Sequence, residues 1–264
     1  MGVKAMFDGQ LSRRGLLKGA GGGVVVLASG GLSLFSKAEA KGGPSEKWPW
    51  PYVNLDPEKT AELAYNEWYR VFCGAAVISS VFSQLREKVG EPYTSFPIDG
   101  YVFLEGGMVG WGTICGSNAG ANIVSNMIIG PRIAGPECAD GAAIGADALQ
   151  WYAETPLPSY TPKEPRIRDK IIQTTSDSPL CHISVGKWMK ASGYAFGSPE
   201  RKDRCARVSA SVAYHLVNDL NAWKDGTYKP KATWKAVLNI GITAQQNCTE
   251  CHGINIPTPP LAKK

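Results

Sequence analysis

Apolar residues recur along this chain every three or four positions and hardly ever every two. The pattern predicts helices joined by Pro- and Gly-rich turns. Asp56-Pro57 has the form of an N-cap followed by proline at the first helical position. From there Leu63, Trp68, Val71, Val77, Val81 and Leu85 keep a helical period as far as Gly90, with a break expected near Cys73-Gly74. A loop through Pro92 and Pro97 leads by Gly106-Gly107 into a Gly/Ala-rich helix over about 113–129, closed by Gly130-Pro131. Its small residues Gly116, Ala119 and Gly120 would let a neighbouring helix come close. Further helices are expected over 141–155 and 180–192, separated by a four-proline linker at 156–165. Ser198-Pro199 caps a long helix that runs to Trp223 and stops near Gly226, and a last turn is expected over 234–240. The expected fold class is mainly α, with no internal repeat of fixed period.

The N-terminus reads as an address. Ser12-Arg13-Arg14-Gly15-Leu16-Leu17-Lys18 has the form of a twin-arginine signal, followed by a weakly apolar, glycine-interrupted segment and the cleavage pattern Ala38-Glu39-Ala40. The apolar run is too short and too weak to predict a stable membrane anchor. The expected organisation is a signal peptide at 1–40, an extended Trp/Pro arm at 41–55, a helical domain at 56–226 and a C-terminal segment at 227–264. The whole chain carries 28 basic and 23 acidic residues, a formal charge of +5. Five of those cations and two of the anions lie in residues 1–40. The rest is nearly neutral, without a basic stripe, which argues against a nucleic-acid partner. The expected destination is the periplasm.

Near the C-terminus stands Cys248-Thr249-Glu250-Cys251-His252. Two thiols at this spacing can each add to a vinyl group of one porphyrin, and the next imidazole then falls beneath the iron. The motif therefore predicts thioethers at Cys248 and Cys251 with His252 as proximal ligand of one haem c. Twin-arginine export carries proteins already folded, whereas haem c is ordinarily attached after export. A chain with both signals implies a second cofactor loaded earlier, and turns attention to the remaining cysteines.

Those are Cys73, Cys115, Cys138, Cys181 and Cys205. An exported protein invites disulfides, but an odd number of thiols on or beside expected helices favours other uses. Read alone, they allow a cluster, two disulfides, or free redox-active thiols. The order Cys73-Gly74-Ala75-Ala76, Ile114-Cys115-Gly116-Ser117-Asn118-Ala119-Gly120, Leu180-Cys181-His182 and Cys205-Ala206-Arg207 resembles the four landmarks of the C-GCAxxG-C-C family of helical redox proteins. Together with the export signal and the C-terminal CxxCH, the whole is similar to the split-Soret cytochromes c of sulfate-reducing bacteria. The resemblance implies a homodimer, haems near the subunit interface with two histidine ligands, and an iron–sulfur cluster of [2Fe–2S] or [4Fe–4S] type on Cys73, Cys115, Cys181 and Cys205. Cys138 matches no landmark. That family carries two haems per subunit and this chain has one CxxCH; Ser178-Pro179-Leu180-Cys181-His182 is at most a degenerate second site.

The sixth iron ligand is expected from His215 or His182, with Met189 and Met127 behind them. His215 lies ten residues beyond Cys205, about 15 Å along a helix axis. These features predict electron transfer to an unnamed redox partner. A haem enzyme with an open sixth site and a thiol-based redox sensor are the alternatives.

Overall fold

Helix capping and proline placement set the two long helices at the centre of the molecule. In this computed structural model, which describes residues 47–233, 236–237 and 242–243, α1 spans Pro57–Lys88. The side chain of Asp56 accepts hydrogen bonds from the amides of Glu58 and Lys59. The last long helix, α5, spans Pro199–Lys224, and the Ser198 hydroxyl accepts from the Arg201 amide. Between them lie α2 (Gly116–Ile128), α3 (Ala139–Glu154) and α4 (Cys181–Ser192), with 3₁₀ turns at Ile98–Leu104, Arg132–Ala134 and Pro136–Cys138. The protein is mainly α, as the spacing predicts. The one departure concerns the last expected turn: Ala236–Val237 is extended and pairs antiparallel with Ile242–Thr243. The β-branched residues Val237, Ile242 and Thr243 suit a pleated pairing better than a helical turn.

α1 packs chiefly on α5, and α2 lies between α1 and α3. Val77, Val81, Leu85, Val124, Ile128, Ile144, Val212 and Leu216 bury into one core shared by these four helices. The close approach expected of the small residues is realised. A Cβ built on Gly120 would lie 2.5 Å from the Gly74 carbonyl oxygen, and one on Gly116 would lie 1.7 Å from that of Leu104. Only glycine fits at either place. Buried hydroxyls of Ser117 and Ser209 meet at 2.8 Å and tie α2 to α5.

The Trp/Pro arm packs back on the body. Trp50 donates its amide to Ile128 O at 2.7 Å, and the Trp48 indole donates to Met127 O at 3.0 Å. Among the described residues no helix is long and apolar enough to cross a membrane.

Candidate metal centre

Four of the five cysteines converge at one end of the bundle, brought there by two local devices. The first is a break in α1. Phe72 adopts φ 58, ψ −167, so the helix stops and restarts at Cys73. That conformation is strained for an aromatic residue, and it falls one residue before the break the sequence predicts. The second is an antiparallel pairing of two loops. Cys115 N–H donates to Pro179 O at 2.9 Å, Cys181 N–H to Thr113 O at 2.7 Å, and Ile114 bridges Leu180. This sets Cys115 beside Cys181. Cys205 reaches the same place from the second turn of α5.

Three of these thiols therefore stand at the starts of helical segments: Cys73 after the break, Cys115 as the N-cap residue of α2, and Cys181 as the first residue of α4. Helix N-termini present unpaired N–H groups and positive dipole ends, which favour thiolate over thiol. Specific donors add to this. The Trp68 indole N–H lies 3.3 Å from Cys73 Sγ, and the guanidinium groups of Arg201 and Arg204 each come within 3.9 Å of Cys205 Sγ.

Without a metal, burial works the other way. It pushes the Cys73 thiol up to about 12, helped by the charges of Cys205 and Cys115 and opposed by the Trp68 and Gly106 N–H groups. Burial also raises Cys181, and the neighbouring Cys115, Cys205 and Cys73 raise it further. The mutual influence places all four sulfurs in one neighbourhood. All are free thiols, so the two-disulfide reading does not hold. Cys138 is also free and fully buried, with its sulfur close to Gly130 and Trp48 at another part of the core. It takes no part in this site.

Arg204 decides what the site is suited to. Its side chain is 1% exposed, and its Nη2 donates to Ser184 Oγ at 2.7 Å while its Nε has no partner. Among the described residues no carboxylate pairs with it. Burial opposes its charge, and the groups whose ionised forms would favour it are Cys205, Tyr152 and Cys115. The Tyr152 hydroxyl, also buried and without a hydrogen-bond partner, lies near Cys115. A buried guanidinium without a counter-ion is costly, and four thiols that lose their protons to metal would supply the missing negative charge. Among the described residues no three His, Cys, Asp or Glu stand close enough to enclose one ion. Around a single tetrahedral zinc, thiolates sit roughly 3.8 Å apart. A polynuclear iron–sulfur cluster would hold its four thiolates farther apart.

Cys73, Cys181 and Cys205 open onto a cavity of about 640 Å³, whose rim includes Phe72, Phe196 and Lys202. His182 stands on that rim. Its Nδ1 lies 2.9 Å from Gly112 O, and since a carbonyl only accepts, Nδ1 carries a hydrogen, which in a neutral ring leaves the lone pair on Nε2. Met189 lines the same cavity, whereas Met127 packs against the main core.

His215 lies elsewhere, toward the other end of α5. It stacks on Trp151 with centroids 4.2 Å apart and planes 4° from parallel, and its Nε2 lies 3.3 Å from Asp219 Oδ2, out of line for a hydrogen bond. Burial holds its pKa below the ordinary 6.5 against the pull of Asp219. Lys231 and Ala232 border the adjoining cavity of about 180 Å³. Cys248, Cys251 and His252 lie outside the described residues.

Arg204, Arg201, Trp68 and Tyr152 are the site residues that sequence reasoning misses. Asp203 and Arg207, one helical turn apart on α5 and joined at 2.6 Å, carried a usable signal: charged residues at core-facing positions.

No family model matches the chain. The split-Soret cytochrome c of Desulfovibrio desulfuricans (strain ATCC 27774 / DSM 6949 / MB) is 30% identical to it over 255 residues, spanning 92% of this chain and 87% of the relative. A solved structure, "A novel iron centre in the split-Soret cytochrome c from Desulfovibrio desulfuricans ATCC 27774", is similar with a TM-score of 0.64 at 30% identity, covering 77% of this chain and 81% of that one. On this likeness, which extends over nearly the whole sequence, the chain belongs to the split-Soret cytochrome c family.

Proposed function

We propose that this protein is an exported electron carrier with two redox centres, a haem c on Cys248, Cys251 and His252, and an iron–sulfur cluster on Cys73, Cys115, Cys181 and Cys205. The gathering of four thiols, three of them beside Arg204, a buried cation that no carboxylate among the described residues pairs with, is the observation that carries the second centre. Family membership and the CxxCH motif carry the first. Both groups, when bound, supply reversible one-electron iron chemistry.

The chain's own residues set the conditions for that chemistry. Arg204 and Arg201 offset negative charge at the sulfurs, and Trp68 donates a hydrogen bond to Cys73. The twin-arginine signal fits a protein that folds around the cluster before export to the periplasm, and the mature form acts as a homodimer. His215 is our choice for the sixth iron ligand, because the chain passes beside it at Lys231 and Ala232 on its way to the haem peptide. His182 is the second reading, favoured by its open Nε2.

Metal and sulfide analysis of the purified protein tests the pair of centres. One haem per chain with additional iron and a matching amount of acid-labile sulfide is the expected result. One iron per chain and no sulfide would overturn the cluster. A denatured chain whose mass lacks the tetrapyrrole would overturn the haem.

A further inference from the structure

The thiols make up only part of the lining of a sizeable cavity. Cys73, Cys181 and Cys205 occupy one side of a space of about 640 Å³, within the range of small-molecule sites. Its walls are aromatic. Trp68, Tyr69 and Phe72 come from α1, with Trp68 set edge-on to both neighbours at 5.1 and 5.7 Å. Phe196 closes the mouth and is 63% exposed.

The charges are placed asymmetrically. Arg201 donates to Phe196 O at 2.5 Å, carries its guanidinium 4.5 Å over the Phe196 ring, and is already directed at Cys205. Lys202, exposed at the same mouth, has no assigned ion pair among the described residues. Glu105 is the one acidic residue in the lining.

The rim opposite is held rigidly. Residues 106–110 and Gly112 all have positive φ except Trp111, and Val109 at φ 47 is a β-branched residue in the left-handed region. Bonds from Val109 N to Phe103 O at 2.7 Å and from Gly112 N to Gly106 O at 2.9 Å fix that shape. A Cβ on Gly112 would strike His182, and one on Gly107 would strike Cys181. The loop is thus pressed onto the site with an opening left in it. Strain of this kind collects where a site must keep its shape.

We infer that this cavity binds a planar, aromatic small molecule bearing one anionic substituent, its rings lying over the cysteine floor between Phe72 and Phe196 and its charge meeting Lys202 at the mouth. Electron-carrying compounds such as sulfonated or carboxylated quinones belong to this class. The inference rests on the electron-transfer reading of the cysteine site only for the ligand being a redox compound; binding itself rests on the cavity.

The test is a calorimetric titration of the full-length, loaded protein with anthraquinone-2-sulfonate, and with 2-(hydroxymethyl)anthraquinone as a neutral partner of the same ring system. One sulfonate per chain is expected to bind, with the neutral compound about tenfold weaker, as for one charge-assisted contact. Lys202→Ala should bring the sulfonate to the level of the neutral compound, and Phe196→Ala should weaken both. Both residues are exposed, so neither change threatens folding.

Absence of saturable binding, or binding indifferent to both substitutions, overturns the proposal. So does a shift of the haem bands on binding, which would mean that haem occupies the mouth through His182. Iron and sulfide counted on the same sample separate this proposal from the cluster. Sulfide present without binding sinks the ligand and leaves the cluster; binding without sulfide does the reverse.

Discussion

The two ends of α5 solve the same problem in opposite ways. At Arg204 and Cys205 a fully buried cation meets the thiols of Cys205, Cys115 and Cys181 and, among the described residues, no carboxylate. Around Asp219 and Asp147 the charges are matched within the chain. Lys231 reaches Asp219 at 2.7 Å, and Asp147 accepts from the Tyr228 hydroxyl at 2.7 Å and from the amides of Lys231 and Ala232. The second region is nearly complete as it stands. The first is complete only once something negative is added. The difference teaches that unmatched buried charge points to a load, whereas a dense hydrogen-bond network alone does not.

The strongest way to break this contrast is at the sulfurs. Cys73→Ser or Cys181→Ser should remove nearly all acid-labile sulfide and the iron that accompanies it, while the haem spectrum persists. If sulfide survives either change, the thiols are not the ligands.

Arg204→Met sharpens the comparison by its sign. In the loaded protein, loss of the cation should destabilise by about 3 kcal/mol or more, because it leaves the negative load uncompensated. In protein stripped with a chelator the same substitution should stabilise, because a costly guanidinium has gone. Denaturant unfolding of both forms reads this, and equal signs in the two would refute it.

Histidine changes come next. His215→Ala should convert a six-coordinate, low-spin haem to a ligand-accessible one that binds carbon monoxide, whereas His182→Ala should leave the spectrum alone. The reverse outcome moves the iron to the cysteine end.

The smallest expected effect is one of pH. In the stripped chain the folded Cys73 keeps its proton well above its ordinary 9.0. The folded state then binds more protons than the unfolded one as pH rises through and beyond 9. Stability should fall across that range, by up to about 1.4 kcal/mol per pH unit for each such thiol. Loaded protein, whose thiols hold metal instead of protons, should lack that slope.

Much of this arrangement was legible in the sequence. Asp56-Pro57 and Ser198-Pro199 mark their helices because capping is local chemistry. Gly116 and Gly120 announce a close approach because only small residues permit one. The break in α1 is visible to within a residue, as glycine and small residues interrupt the apolar period after Val71. What the sequence does not reveal depends on contacts between distant segments. Arg204 looks like one charge among several in Glu200-Arg201-Lys202-Asp203-Arg204, and nothing local says that it faces inward. His215 and His182 look equivalent in the sequence. Their different surroundings come from Trp151 and Gly112, which reach them through the tertiary fold.

The four thiols proposed as ligands come from separate stretches of chain: the restart of α1, the cap of α2, the start of α4 and the second turn of α5. No single helix or connecting loop holds more than one of them. Iron capture by these thiols would therefore be a property of the finished bundle, since an isolated helix or loop offers only one of their sulfurs. With those ligands, assembly of the centre and completion of the tertiary structure would in this sense be one event.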